Sequence, residues 1–119
     1  FETFQNVFSN ISLVQLVDTR QFGIAGVIGG CGPAYGAMFI EALADAAVLY
    51  GLPRELSYAL ASQMLAGTGK MQVETKTHPG AMKDAVCSPG GITIKGVAEL
   101  ERKGFRGAVI DAIDAVMRK

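Results

Sequence analysis

The chain has 119 residues, of which 50% are hydrophobic and 18% charged, and its 11 basic residues balance 11 acidic ones. A chain of this length forms one small domain with little stability in reserve, so a partner surface would add to its stability. No run of like charges is present, which excludes the electrostatic footprint of a protein that binds nucleic acid or anionic lipid.

Residues 1–17 differ in pattern from the rest of the sequence. Three phenylalanines are spaced as in a helix, and residues 11–17 form the single convincing strand pattern. Because a lone strand is unstable without neighbours, and because the chain does not begin with Met, we interpret 1–17 as the tail of a preceding sheet-containing domain. Asp18 or Thr19 is then predicted to cap the first helix of a second domain over 18–119.

Two prolines mark the expected starts of two long helices joined by a tight turn. Pro33 is predicted to open an apolar helix that ends at Gly51, and Pro53 a second helix through Glu74, because a proline at the first helical position loses no hydrogen bond. One face of the second helix is predicted to be buried. It is a stripe at three- and four-residue steps, made of Leu56, Leu60, Met64, Gly67 and Met71.

The most apolar stretch, residues 34–50, carries two carboxylates at its centre, Glu41 and Asp45. It stops short of the ~20 residues needed to cross a bilayer, so we expect a core helix and no membrane partner. The two carboxylates lie one turn apart. On an otherwise apolar helix, such residues more often face solvent or pair with a basic neighbour than catalyse a reaction.

The remainder of the chain also has helical patterns. A short helix is predicted over 81–86, a longer one over 92–103 with Gly104 as its C-terminal cap, and a last helix from Phe105 onward. The apolar stripe of the last helix, predicted to face inward, consists of Phe105, Val109, Ile113 and Val116. The residues of this helix predicted to face outward are Arg106, Asp111, Asp114 and Arg118. Most of the 16 alanines and several of the 15 glycines fall inside helical patterns, which lets helix axes approach closely. The predicted fold class is all-α.

Several residues that often carry chemistry are assigned structural roles. Cys31 and Cys87 have no second cysteine or histidine at ligand spacing, so no disulfide or metal site is predicted and both thiols are expected to be buried. His78 precedes a proline and is expected to cap or pack. Residues 30–35 resemble the start of a dinucleotide fingerprint, but Tyr35 replaces the third glycine, which argues against cofactor binding in that manner.

The loop over 88–93, Ser-Pro-Gly-Gly-Ile-Thr, is the strongest candidate site. Its adjacent glycines let the backbone approach a ligand, and the helix beginning near Ile92 points its free N–H groups back at the loop, which favours a small anion. Ser88 and Thr93 add hydroxyls that donate to a carboxylate or meet a ring nitrogen. The alternative is an ordinary glycine-rich loop with Ser and Thr as helix caps. The residues alone support the two interpretations equally.

These segments together resemble the C-terminal part of the pyrroline-5-carboxylate reductase family. The resemblance covers essentially the whole chain, and residues 78–93 are close to the family's signature. It is carried by the segments 30–35, 41–45, 51–54, 78–84, 88–94 and 104–106. Family members usually have Ser-Gly-Ser-Gly-Pro-Ala-Tyr where this chain has Gly-Gly-Cys-Gly-Pro-Ala-Tyr at 29–35, so two hydroxyls near the expected nicotinamide side are absent.

The resemblance implies a fold, a reaction and a set of site residues. It implies an all-helical domain that interlocks with its copy in a homodimer or higher homo-oligomer, preceded by a helix-strand remnant of an α/β nucleotide-binding domain at 1–17. The implied reaction is the reduction of 1-pyrroline-5-carboxylate, a cyclic imino acid, to L-proline in the cytoplasm with NADPH or NADH. The cofactor would be held mostly by an absent domain, so the chain alone is expected to be inactive.

The resemblance also assigns roles within the loop. Ser88, Gly91 and Ile92 would hold the substrate carboxylate, and the Thr93 hydroxyl would meet the ring nitrogen as the catalytic residue, with a positioning role. Two other functions stay open at this point. One is a helical dimerisation module with no activity of its own, and the other is a reductase of a related cyclic imine.

Overall fold

A computed structural model describes residues 21–118, and within that range the chain forms five α-helices and no strand. The helices are α1 (Phe22–Leu49), α2 (Arg54–Thr75), α3 (Pro79–Ala85), α4 (Ile92–Arg102) and α5 (Phe105–Met117). The predicted all-α fold class is therefore confirmed. The predicted helix and strand of residues 1–17, and the caps Asp18 and Thr19, lie outside the described residues.

The predicted start of the first long helix is wrong. α1 begins at Phe22 and runs for 28 residues, with Pro33 inside it. A proline in a helix interior removes one backbone hydrogen bond, and the apolar residues on both sides continue the helix past it. α1 is long and apolar enough to span a membrane, and no residue in its most apolar part is buried against the other described residues. Core helices of soluble proteins have the same length and composition, so these two features do not assign α1 to a membrane.

A tight turn joins α1 to α2, as the sequence predicts. Gly51 adopts a φ of +97°, a left-handed conformation that favours glycine, and the Leu52 N–H donates to the Ala47 carbonyl at 3.0 Å. Pro53 stands immediately before α2, where its fixed φ suits the entry to a helix. The predicted helix from Pro53 through Glu74 is thus confirmed to within one residue at each end.

The contact between α1 and α2 is made by small side chains. Ala44 on α1 is fully buried, and on α2 Ser57 and Ala61, one turn apart, are the described residues of that helix that are buried. Near this contact a methyl group on Gly36 would lie 3.9 Å from the Leu65 side chain. Small residues let the two helix axes approach closely, as the composition predicts.

The predicted burial of the apolar stripe of α2 is wrong for a single chain. Its large residues Leu56, Leu60, Met64 and Met71 are 44% to 56% exposed. The face of α2 that meets α1 is the neighbouring one, which carries Ser57 and Ala61, so the longer side chains point elsewhere. Among the described residues, the stripe is therefore covered only in part.

The last helix shows the same pattern. Phe105 packs against Phe39 of α1 with ring centroids 5.9 Å apart, yet Phe105, Val109 and Val116 are each 40% exposed or more. The predicted inward stripe of α5 is therefore covered only in part. The charged residues predicted to face outward do so. Arg106 pairs with Glu101 at 3.0 Å and Arg118 with Asp114 at 2.9 Å, and Asp111 is exposed.

Two glycine and proline boundaries in the second half of the chain also agree with the sequence. Gly104 has a φ of +74° and separates α4 from α5, as its predicted capping role requires. The short helix α3 begins two residues before its predicted start, because His78 caps it and Pro79 occupies its first turn. Cys31 and Cys87 are free thiols of intermediate exposure, so their predicted full burial is wrong.

Candidate functional site

The loop between α3 and α4 is held in shape by its own residues. The Gly91 N–H donates to the Ser88 carbonyl at 3.0 Å and closes a four-residue turn. Pro89 occupies the second position of this turn, and Gly90 the third with a φ of +70°. Proline followed by a glycine of positive φ is the pattern of a type II turn. The sequence Ser-Pro-Gly-Gly therefore builds the loop locally.

The turn leads directly into the N-terminus of α4. Gly91 is the capping residue, with extended backbone, and has no side chain to accept a bond from the helix. The N–H groups at the start of an α-helix lack partners within the helix. Those of Ile92 and Thr93 accordingly face the loop without a side-chain cap, next to the positive end of the helix dipole.

Two hydroxyls stand beside these amides. Within the described part of the chain, neither Ser88 Oγ nor Thr93 Oγ1 takes part in a hydrogen bond, and both residues are exposed. The alternative in which Ser and Thr cap the helix therefore has no hydrogen bond to support it. Ile92, the first residue of α4, is 86% exposed. The N-terminus of α4 is open to a ligand.

Gly91 lies in close contact with Ser88. A methyl group on Gly91 would overlap Ser88 Oγ and would lie 3.3 Å from the Ser88 carbonyl oxygen. The Ser88 hydroxyl thus occupies the space that any larger residue at 91 would need. The loop brings together the hydroxyl, the free amides and Thr93, with no charged residue between 88 and 94. Such donors suit a small carboxylate.

His78 lies at the opposite end of α3 from this loop. Its Nδ1 accepts a hydrogen bond from the Gly80 N–H at 2.9 Å, so the predicted capping role is confirmed. The carboxylates of α1 also behave as expected. Asp45 accepts a hydrogen bond from Arg54 Nη1 at 2.5 Å, and this bond raises the pKa of the Arg54 guanidinium, which lies over the Tyr58 ring. Glu41 is exposed.

Within the described residues, neither the segment that resembles a dinucleotide fingerprint nor any cluster of metal-ligating side chains forms a binding site. Residues 30–35, which resemble part of a dinucleotide fingerprint, lie in the middle of α1. Their N–H groups point along the helix axis instead of converging on an anion, and Pro33 has none. No group of His, Cys, Asp or Glu within 21–118 is arranged to hold a metal. Residues 30–35 therefore do not fit the pyrophosphate of a nicotinamide cofactor.

A groove that the sequence did not predict runs between α2 and α3. Its volume is about 880 Å³, its walls are mainly apolar, and Met64, Met71 and Met82 line it together with Val86. The loop over 88–93 lies outside it. In the sequence, the methionines of α2 were the signal that could have indicated this groove. A carboxylate needs hydrogen-bond donors, so the groove suits an apolar segment better than a small acid.

Fold and site together define an all-helical domain that leaves apolar helix faces exposed and presents a loop suited to a small anion. A family model described as pyrroline-5-carboxylate reductase dimerisation matches residues 19–119. The chain therefore belongs to the pyrroline-5-carboxylate reductase family.

Named relatives agree with this assignment. Pyrroline-5-carboxylate reductase of Treponema pallidum is 52% identical over 111 residues, which is 93% of this chain and 42% of the relative. The Escherichia coli enzyme is 58% identical over 92 residues, or 77% of this chain and 34% of the relative. The chain thus spans about two fifths or less of the length of these relatives and corresponds to their C-terminal portion.

Solved structures are similar as well. The Plasmodium falciparum pyrroline carboxylate reductase with NADP bound matches at a TM-score of 0.77 and 41% identity, over 83% of this chain and 38% of that chain. The Streptococcus pyogenes enzyme matches at a TM-score of 0.79 and 36% identity, over the same share of each chain.

Proposed function

We propose that the enzyme to which this domain belongs reduces 1-pyrroline-5-carboxylate to L-proline, the last step of proline biosynthesis. The observation that carries the proposal is the loop over 88–93, where two unpartnered hydroxyls and the uncapped start of α4 lie together. The names of the relatives support the same reaction.

In this proposal the loop binds the carboxylate of the substrate. The Ser88 hydroxyl donates one hydrogen bond, and the amides at the start of α4 donate others. The Gly91 N–H is already engaged with the Ser88 carbonyl at 3.0 Å, so Gly91 contributes by lacking a side chain, and the free amides are those of Ile92 and Thr93. Helix N-termini bind anions without a formal positive charge nearby.

Thr93 acts at the other end of the substrate. Its hydroxyl lies on the first turn of α4, next to the carboxylate site, where it meets the ring nitrogen and orients the imine. A threonine hydroxyl is too weak an acid to be the proton donor, so its role is positioning. The nicotinamide, NADPH or NADH, supplies a hydride to the imine carbon when bound, and is held by residues outside 21–118. The NADP bound to the Plasmodium falciparum relative supports this choice of cofactor.

We further propose that residues 18–119 form a homodimer or a higher homo-oligomer through the exposed stripes of α2 and α5. Leu60 and Met64 are typical of these stripes, since each is more than 40% exposed within one chain. Contiguous exposed apolar faces often mark a surface that a partner covers. Residues 1–17 then belong to the nucleotide-binding domain, which agrees with a family match that begins at residue 19. The enzyme is soluble and cytoplasmic.

A second candidate function is a dimerisation module without activity of its own. The observation that favours it is the absence of a dinucleotide cradle within the described residues. The two candidates differ in what the loop does, so the loop is the place to test them.

The test is steady-state kinetics of two variants in the full-length enzyme. Thr93→Ala should lower kcat by roughly 10- to 1000-fold, because a hydrogen bond that strengthens in the transition state is worth about 1.5 to 4 kcal/mol. Ser88→Ala should mainly raise KM with kcat nearly preserved, because the carboxylate charge does not change during hydride transfer.

A matched control is Thr68→Ala. The Thr68 hydroxyl donates to the Met64 carbonyl at 2.8 Å within α2, outside the loop, so its removal should leave kcat near the wild-type value. If both loop variants had wild-type kcat and KM, the loop would only connect two helices and the proposal would be wrong.

A further inference from the structure

The cap of α3 is the single histidine of the chain. His78 precedes the helix with extended backbone, and its Nδ1 accepts the Gly80 N–H at 2.9 Å. The ring is seated tightly on this amide. A methyl group on Gly80 would lie 2.9 Å from Nδ1 and 3.0 Å from Cε1, so Gly80 leaves room for the imidazole.

α3 depends on this cap because it is short. It has seven residues, begins with a proline that has no N–H to donate, and contains no buried residue. Isolated helices of this length are unstable in water, so capping bonds contribute a large share of their stability. The usual N-capping residues are Ser, Thr, Asp and Asn, whose side-chain oxygens accept a hydrogen bond throughout the neutral pH range. Histidine is not one of these usual capping residues.

A histidine nitrogen accepts a hydrogen bond only while it carries no proton. Protonation therefore removes the acceptor for the Gly80 N–H. It also places a positive charge at the positive end of the α3 dipole. Both effects disfavour α3. Histidine is the side chain whose charge normally changes between pH 5 and 8.

We propose that His78 is a pH-sensitive cap whose protonation releases the first turn of α3. The release of this turn affects both the groove beside α2 and the loop that follows α3. Pro79 and Met82 form part of one wall of the groove beside α2, so that wall loosens. Ser88 follows the end of α3 by three residues, so the loop loses its anchor on one side. The effect on the loop as a substrate site rests on the proposed function, whereas the effect on α3 does not.

The other charged groups near His78 are accounted for. On α3, Lys83 pairs with Asp84 at 3.4 Å. In the C-terminal part of α2 and just after its end lie Lys70, Glu74 and Lys76, and Lys76 Nζ donates to the Val73 carbonyl at 3.4 Å. In the described part of the chain none of these groups is hydrogen-bonded to the His78 ring, whose bond is to Gly80.

The experiment measures amide hydrogen exchange by NMR on this chain at pH 8 and pH 5. Rates for residues 82–85 are corrected for the intrinsic rate at each pH and compared with those of α4 in the same sample. A lost cap changes the population of the open helix by about fivefold. The wild-type protection of α3 relative to α4 should fall by about that factor between pH 8 and pH 5.

Two variants make the test specific. His78→Asn retains an acceptor oxygen that does not titrate, and should keep α3 equally protected at both pH values. His78→Ala has no acceptor, and should show the lower protection at both. If the wild type were unchanged between the two pH values, or if His78→Asn lost as much protection as the wild type, another group would control α3 and the proposal would be overturned.

A second readout connects the cap to the substrate loop. In the full-length enzyme, the ratio of wild-type KM to His78→Asn KM should rise as the pH is lowered from 8 to 5. If the KM ratio were constant while the exchange protection of α3 changed with pH, His78 would still act as a pH-sensitive cap of α3. Its proposed effect on the loop over 88–93 would then be wrong. The exchange experiment uses no substrate, so its outcome is independent of the kinetic test of Ser88 and Thr93.

Discussion

The junction between α4 and α5 offers a sharp test of how local backbone geometry contributes to stability. Gly104 adopts a φ of +74° and a ψ of 33°, and a methyl group placed on it would meet no atom within 4 Å. Gly104→Ala therefore adds no clash. Its cost is the left-handed backbone conformation alone, which for a residue with a Cβ is roughly 1 to 2 kcal/mol. We expect the free energy of unfolding to fall by this amount.

Gly107→Ala is a matched control three residues further along. Gly107 lies inside α5, again with nothing within 4 Å of an added methyl group. Here alanine should raise the free energy of unfolding by about 0.5 to 1 kcal/mol, because glycine loses more backbone entropy in a helix. The same chemical change is thus expected to have opposite signs at the two positions.

Urea denaturation measures both effects, with all proteins at one concentration because a self-associating chain unfolds in a concentration-dependent way. The two variants should be separated by roughly 1.5 to 3 kcal/mol. Equal midpoints for the two variants, or a Gly107→Ala protein less stable than the wild type, would refute the reasoning.

Three further outcomes are expected. Ser57→Ala should lower the free energy of unfolding by about 0.5 to 1.5 kcal/mol in thermal denaturation, because its hydroxyl is buried and donates to the Pro53 carbonyl at 2.8 Å. Arg54→Met should change stability little, and equally at pH 6 and pH 9. The bond to Asp45 raises the pKa of the Arg54 guanidinium. Its contribution to the free energy of unfolding is therefore present below the pKa that this guanidinium has in the unfolded chain, and is lost only at higher, strongly alkaline pH. Sedimentation should give at least a dimer at micromolar concentration, and the chain alone should not oxidise NADPH or NADH. A folded monomer or measurable turnover would contradict the proposed assembly and domain assignment.

Boundaries governed by a single residue were predictable from the sequence. Gly104 and Pro53 stand at the helix ends where they were expected, and Pro89 with Gly90 forms the turn that begins the loop. Each acts through its own backbone: proline restricts φ and lacks an N–H, and glycine reaches positive φ without cost. The loop itself was recognisable for the same reason, since the turn and the start of α4 are adjacent in sequence.

Features that depend on what a segment packs against were not predictable in this way. Pro33 resembles a helix start, but it lies inside a helix of 28 residues. Periodicity located an apolar stripe on α2 and wrongly placed it in the core of one chain. A hydrophobic pattern shows that a face prefers to leave water, and does not show which surface covers it.

Helix content, the helix ends marked by Pro53 and Gly104, and the turn that begins the loop over 88–93 were thus determined by the sequence itself, because each depends on residues within a few positions of one another. Tertiary structure decided the rest. Ala44, Ser57 and Ala61 meet at the α1 and α2 contact because their small side chains permit the closest approach, and this choice leaves the larger apolar side chains outside. The groove beside α3 exists because the chain turns between α2 and α3, which brings side chains of both helices to one surface.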